Sequence, residues 1–488
     1  MSVMNACSLS LRSLLPRICN RRCTLPLVLR TYASMHAYEL DSALGCNVYI
    51  SEGRDKELIK RLQAEASATE HVALANVFVD APYNRTGFTL VSTHADLLTA
   101  AVVRLSRAAL RLLDLRSHAA THPRLGVVDH ISLHPLGSLV KRPAAAAGAA
   151  AAPSPWPSHP EDHYHHHHHH QHQHQHQQRQ HGHPPGPPGQ PGHQEHGRLG
   201  QQHGGAALHQ RHHYHHQVAQ RQQEQQVVPG GGALTGGGAG GAYATVWEPP
   251  PPGLAGLAVA ASCAQYIAWH LSREDDSELA AAAQQPSGGG DGPPAAAALG
   301  PAPALPVYLY GYAHPTRRCL SDVRRELGYF RRAADGGWGG LSDTQQLPDP
   351  GDLQRFPPDL GPVELPPQSG LVTIGAVPWV VNYNVPLQDV DMEEAKWLAR
   401  AVSTRGGGLP GVEAMALQHS DDSVEVACNL LDESLSSPHA VQARLEALAS
   451  ARGLDQWAVL WGYRTNKSPE ELLRAAVALE AEAAWRRG

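Results

Sequence analysis

The chain has 488 residues, with 39 basic against 45 acidic side chains and a formal net charge of −6 at neutral pH. That balance, without a basic run, argues against nucleic acid or an anionic membrane surface as the main partner. Seven cysteines without a CxxC pair argue against a disulfide framework or a cysteine zinc site, and no apolar run reaches membrane-spanning length.

The first 38 residues carry Arg12, Arg17, Arg21, Arg22 and Arg30 with several serines, and Glu39 is the first acid. A cationic, hydroxylated, acid-poor leader reads as an organellar transit peptide over residues 1–35. Mitochondrion and chloroplast fit it equally, with a cytoplasmic N-terminus as the alternative. The foldable chain opens with an extended segment at 46–50. Ser51 is placed to cap a helix over 53–66, whose Leu58, Ile59, Leu62 and Ala66 share a face. Strands are predicted at 72–79 and 86–91, around the turn Asp80-Ala81-Pro82-Tyr83-Asn84, and then an amphipathic helix over 95–113. Beyond Gly126 the chain is extended again, Ile131 and Leu133 alternating with His130, Ser132 and His134. The order β-α-β-β-α-β is the split βαβ pattern.

Between that helix and that strand lies His122-Pro123-Arg124-Leu125-Gly126. A loop held by rigid neighbours can turn a side chain toward a ligand. His122 offers proton transfer near neutral pH and Arg124 a permanent anion clamp, although a solvated turn is the commoner use of such a triplet. Pro123 fixes one φ angle, and Gly126 is expected to permit the turn into the strand.

Residues 141–252 are rich in Ala, His, Gln, Pro and Gly, and 20 of the 32 histidines fall between His163 and His216. Residues 273–304 form a second such stretch. Neither has the apolar pattern to offset its ordering entropy, so both are expected to be disordered insertions. Clustered imidazoles chelate divalent ions, but no fixed spacing here shapes a defined metal site, and none is predicted.

The second half repeats the first. Val377, Trp379, Val381, Tyr383 and Val385 share one face of a predicted strand, followed by a helix over 391–403. Strands at 412–417 and 424–430 meet at Ser420-Asp421-Asp422. A helix over 438–451, a strand over 457–461 and a last helix from Pro469 complete the order. The predicted class is α/β (α+β), with two tandem βαββαβ-type, ferredoxin-like subdomains at 36–310 and 371–488. Residues 311–370 connect them. The crevice between two such lobes is a favoured ligand site.

Eight segments, in order through this core, resemble the formiminotransferase catalytic domain family. They are Ser51-Glu52-Gly53, Asn84-Arg85-Thr86, the His122 to Gly126 loop with Asp129, and Val307-Tyr308-Leu309-Tyr310-Gly311. Pro358-Asp359-Leu360-Gly361-Pro362, Ile374-Gly375-Ala376, Asn382-Tyr383-Asn384 and Cys428-Asn429-Leu430-Leu431-Asp432 complete the set. Gly328-Tyr329-Phe330 and the segment at 424–429 look closer to the short, single-function members than to those with a cyclodeaminase domain.

The resemblance implies transfer of a formimino group from N-formimino-L-glutamate to tetrahydrofolate as co-substrate, with His122 as acid/base. It makes Arg85 and Arg124 carboxylate clamps and Asn84, Asn384 and Asn429 substrate- or folate-binding residues. For Asn384 and Asn429 a structural role at strand ends is equally open. A homodimer is a further implication. The chain departs from the family at Tyr49, where Asn is usual, at Thr121, where an acid is usual, and at Tyr312, where Glu is usual. Losing the acid removes a term that raises the imidazole pKa. A phenol in place of a carboxamide reshapes the pocket. The alternative is a non-catalytic homologue that binds folate or acts as a scaffold.

Overall fold

The computed structural model describes residues 39–143, 243–250, 255–274, 301–330, 350–420 and 423–487. The leader and most of both expected insertions lie outside them. Among the described residues, 39–139 and 247–487 belong to one compact unit, and 140–143 with 243–246 to a second. Both hydrophobic cores that organise the fold lie within the first unit.

Alternation makes β1 (Glu39–Ile50) a central strand. Cys46, Val48 and Ile50 are buried in the core with α1 (Lys56–Ser67) and α2 (Ala95–Leu112), which leaves Asn47 and Tyr49 on the other face. Asp55, not Ser51, caps α1: its Oδ1 accepts from the N–H groups of Glu57 and Leu58 at 3.0 Å. Ser51 instead donates its hydroxyl to Gly126 O at 2.8 Å. Strands β2 (Ala73–Asp80), β3 (Arg85–His94) and β4 (Val128–Pro143) complete the antiparallel order β2-β3-β1-β4. That is the ferredoxin-like order predicted.

The sheet then continues beyond the predicted unit. After β5 (Tyr243–Glu248) and α3 (Ala255–Leu271) come β6 (Val307–Gly311), α4 (Leu320–Glu326), α5 (Pro350–Arg355) and β7 (Val372–Ala376). Strand β7 lies parallel between β4 and β6, so it belongs to the first sheet and not to a second subdomain starting at 371. Strand β5 falls inside the expected insertion 141–252; the Trp247 indole N–H, donated to Leu136 O at 3.0 Å, anchors it. Residues 301–304 are likewise structured, with Ala302 buried and Leu305 N–H bonded to Leu271 O at 2.9 Å.

The second sheet contains β8 (Val381–Leu387), β9 (Val412–Ser420), β10 (Ser423–Leu430) and the short β11 (Tyr463–Arg464), in antiparallel order β11-β8-β10-β9. Helices α6 (Met392–Val402) and α7 (Pro438–Ala451) cover one face. This is the second split βαβ unit. The strand predicted at 457–461 is a loop, bridged to β8 only at Leu387–Val459. Trp457 and Trp461, at the two ends of that stretch, are exposed.

The last helix, α8 (Pro469–Arg487), leaves the lobe that precedes it. Leu472, Leu473 and Ala476 pack on Ala43, Ala73, Ala75 and Val91 of the first sheet, on the face away from α1 and α2. Small residues there let a helix approach closely. Leu472 is fully buried in this contact. Leu472→Ala should therefore cost about 2–5 kcal/mol of stability, read as a lowered urea midpoint with an unchanged slope. A change near zero would mean that α8 does not close the first sheet.

Candidate functional site

The loop between α2 and β4 is stitched down at several points. Ser51 N–H bonds to Val127 O, Val127 N–H to Ser369 O and Leu371 N–H to Leu125 O, each at 2.9 Å. Gly126 serves a close approach, not the turn expected of it: a Cβ there would lie 2.1 Å from Leu371 O. The loop thus presents His122 from a backbone fixed at both ends.

His122 and Arg85 meet in a cleft of about 180 Å³, lined also by Ser51, Tyr83, Asn84, Pro123, Arg124 and Asp129. The His122 Nδ1 lies 2.6 Å from Pro123 O, which fixes that nitrogen as the proton carrier. Nε2 is then the unprotonated nitrogen, and Arg85 Nη1 lies against the imidazole, 2.9 Å from Nε2 and 3.3 Å from Nδ1. Arg85 Nη2 faces Asp129 Oδ2 at 3.4 Å, and its guanidinium lies 4.3 Å from the centroid of the Tyr49 ring. Tyr49 therefore supports the guanidinium from below, and its hydroxyl donates to Asn382 Oδ1 at 3.1 Å. Gly87 makes room for that ring: a Cβ there would come within 3.0 Å of it.

The other expected residues divide. Asn84 lines the cleft, but its amide is spent on the scaffold, accepting from Gly53 N–H at 2.8 Å and donating to Ala119 O at 3.0 Å. Its φ of 47° is one that Asn tolerates. Arg124 also lines the cleft while donating to His118 O at 2.7 Å. Asn384 and Asn429 stand on β8 and β10 and do not line the cleft. Asn384 donates to Glu425 Oε2 at 3.0 Å, and Asn429 Oδ1 accepts from Asn382 Nδ2 at 2.6 Å. Of the departures, Thr121 adds no charge, and Tyr312 lies under the Arg317 guanidinium, outside the cleft lining.

Several participants had not been expected. Arg324, on α4 in the supposed connecting region, faces Asp129 Oδ2 at 3.6 Å and lies over the Tyr329 ring. Three guanidiniums thus gather near one carboxylate. The buried Arg85 Nε, Arg324 Nε and Tyr329 hydroxyl have no hydrogen-bond partner. Unsatisfied buried donors beside excess positive charge suit an anionic ligand. On the second lobe, Glu425 and His419 form a buried cluster with Asp80 and Tyr83.

The electrostatics follow from this packing. Burial, and then the Arg85 charge, hold the His122 pKa well below its ordinary value, so the near-neutral imidazole expected from sequence is a neutral base at pH 7. Burial pushes Arg124 down to about 10, still cationic. His118 and His134 fall to about 4, chiefly by burial, and burial lowers His130 as well. For His419 burial is outweighed by Glu425 and Asp80, which lift it to about 9.

Residues 43–183 match the family model for the formiminotransferase domain, N-terminal subdomain. A formiminotransferase cyclodeaminase-like protein of Arabidopsis thaliana is 26% identical over 433 residues, covering 88% of this chain and 94% of that one. Glutamate formimidoyltransferase of Thermoplasma acidophilum is 30% identical over 95 residues, which are 20% of this chain and 31% of that protein. Formimidoyltransferase-cyclodeaminase of Gallus gallus is 36% identical over 84 residues, 17% of this chain and 15% of its own length.

The pKa shifts predict a stability optimum with two different limbs. His118, His122, His130 and His134 stay neutral when folded but take up protons unfolded, so stability should fall as pH drops below about 6.5 toward 4. His419 acts oppositely: its contribution is complete below about 6.5 and is lost as pH rises through 9. Melting curves across that range should show both limbs, and His419→Gln should flatten the alkaline one alone. An alkaline limb unchanged in that variant would contradict the assignment.

Proposed function

Through residues 43–183 this chain is a member of the formiminotransferase family, and on that footing we propose that it transfers a formimino group from N-formimino-L-glutamate to tetrahydrofolate. The observation that carries the reading is the neutral His122 beside Arg85 and Arg124 in one cleft. The acceptor amine must lose a proton as it attacks the formimino carbon, and the departing glutamate nitrogen must gain one. Nε2 takes the first proton and returns it in the second step.

In the free protein Arg85 Nη1 lies against the imidazole, 2.9 Å from Nε2. A substrate carboxylate competes for the guanidinium, since it brings opposite charge and matches the planar fork of donors with two oxygens. Arg85 then binds the carboxylate and Nε2 is free. Arg124 adds a second cation at the cleft wall. The cleft is lined by charged and polar side chains, which suits the amino-acid end of the donor.

Incubation with tetrahydrofolate and formiminoglutamate should yield 5-formiminotetrahydrofolate. His122→Ala should lower kcat by about 10²–10⁴-fold, and Arg85→Met should raise the donor KM by roughly tenfold with a smaller change in kcat. Product formation no greater than in the His122→Ala variant would refute the reading.

A further inference from the structure

A second constellation lies behind the base, and the transfer chemistry does not use it. Tyr83 sits in the turn between β2 and β3, 5% exposed, its backbone N–H given to Asp80 Oδ1 at 3.0 Å. Its ring meets the His122 imidazole edge-on at 5.1 Å and 69°, and the His419 imidazole at 4.7 Å and 73°. Its hydroxyl crosses to the second lobe and donates to Glu425 Oε2 at 3.2 Å.

Glu425 is 1% exposed, and every other strand of its sheet supplies it a partner. Asn384 of β8 donates to Oε2 at 3.0 Å and Tyr463 of β11 to Oε1 at 2.8 Å. His419 of β9 places Nδ1 3.5 Å from Oε1 and Nε2 3.3 Å from Asp80 Oδ1, so it bridges the two carboxylates. A buried carboxylate so surrounded has little freedom to turn, because each lost bond would leave a polar atom unsatisfied in a low-dielectric site. The Tyr83 hydroxyl is thereby tied to a point set by the second sheet.

His122 needs such a support. Its Nδ1 lies 2.6 Å from Pro123 O, and Arg85 Nη1 lies 2.9 Å from Nε2 and 3.3 Å from Nδ1. Rotation about Cβ–Cγ would break these contacts. The Tyr83 ring, edge-on at 5.1 Å, and the Tyr329 ring, edge-on at 6.5 Å, oppose the same rotation by packing. We propose that Glu425 is a positioning residue that acts through Tyr83 to hold the His122 ring, so that the second lobe sets the attitude of a base carried by the first.

The test uses the full chain with Tyr83→Phe, Glu425→Gln and the double variant. Tyr83→Phe keeps the ring and removes only the tether. Site-resolved carbethoxylation by mass spectrometry should show His122 reacting about threefold faster or more in each single variant, and the double variant no faster than the singles, as expected for two residues acting through one contact. Under the proposed reaction, kcat should fall about tenfold with the donor KM within about twofold. Unchanged His122 reactivity with only a lowered melting temperature would reduce the cluster to a structural role and overturn the proposal. Additive effects in the double variant would also overturn it. If Glu425→Gln does not fold, Tyr83→Phe alone decides. The kinetic arm rests on the proposed function, but the modification arm does not: a wild-type chain without transfer activity would refute that function and leave the positioning question to be read from His122.

Discussion

Asp129 is the fixed point of the cleft. One of its oxygens takes the Leu125 N–H at 2.6 Å and closes the loop that carries His122; the other faces Arg85 at 3.4 Å and Arg324 at 3.6 Å. Its side chain is 2% exposed, and removing a lone carboxylate from water costs several kcal/mol. The two guanidiniums and the N–H together offset that cost. Their distances are nevertheless long for charge-assisted bonds, which run near 2.7–2.9 Å. Asp129 therefore balances the charge of the arginines without gripping either. Arg85 makes its shortest contact with a neutral imidazole, so its strongest available bond is still to be made.

The two lobes meet through polar groups. Each sheet buries one apolar face under its own helices, which leaves Asn47, Tyr49, Thr89, Ser132 and His134 on the first sheet and Asn382, Asn384, Glu425 and Asn429 on the second. Tyr49 bonds to Asn382, Tyr83 to Glu425, and His419 Nε2 lies 3.3 Å from Asp80 Oδ1. Such contacts are worth about 1 kcal/mol each when made, and more than that when broken inside the protein. The register of one lobe against the other is consequently demanding, and tilting one would strand several groups at once.

What could be read from the sequence was what local pattern controls. Apolar spacing located β2, β3, α2, α6 and α7 closely, and the two split βαβ orders followed from it. His122, Arg85 and Arg124 were visible because their motifs are contiguous. The failures concern distant partners. Nothing around Val372 to Ala376 says that this strand joins the first sheet, and nothing in Leu472 or Leu473 says which sheet they cover. Glu425 was hidden by its own alternation: between Val424 and Val426 it reads as the solvent side of a strand, yet that side faces the other lobe. Arg324 sat in a short helix with no apolar repeat long enough to attract notice. Asp55 displaced Ser51 as helix cap because Ser51 was engaged by Gly126, a partner 75 residues away.

The placement of α8 has a consequence for the order of events on the ribosome. Strands β1, β2 and β3 emerge early and can pair, and α1 and α2 can cover one side of them. The other side, with Ala43, Ala73, Ala75 and Val91, lacks the cover of Leu472, Leu473 and Ala476 until the last helix has been synthesised. Throughout that interval the nascent chain presents an apolar sheet surface of the kind that chaperones bind and that aggregates by edge and face contacts. The His122 loop, carried by that early lobe, is thus translated long before the lobe that bears it can be sealed.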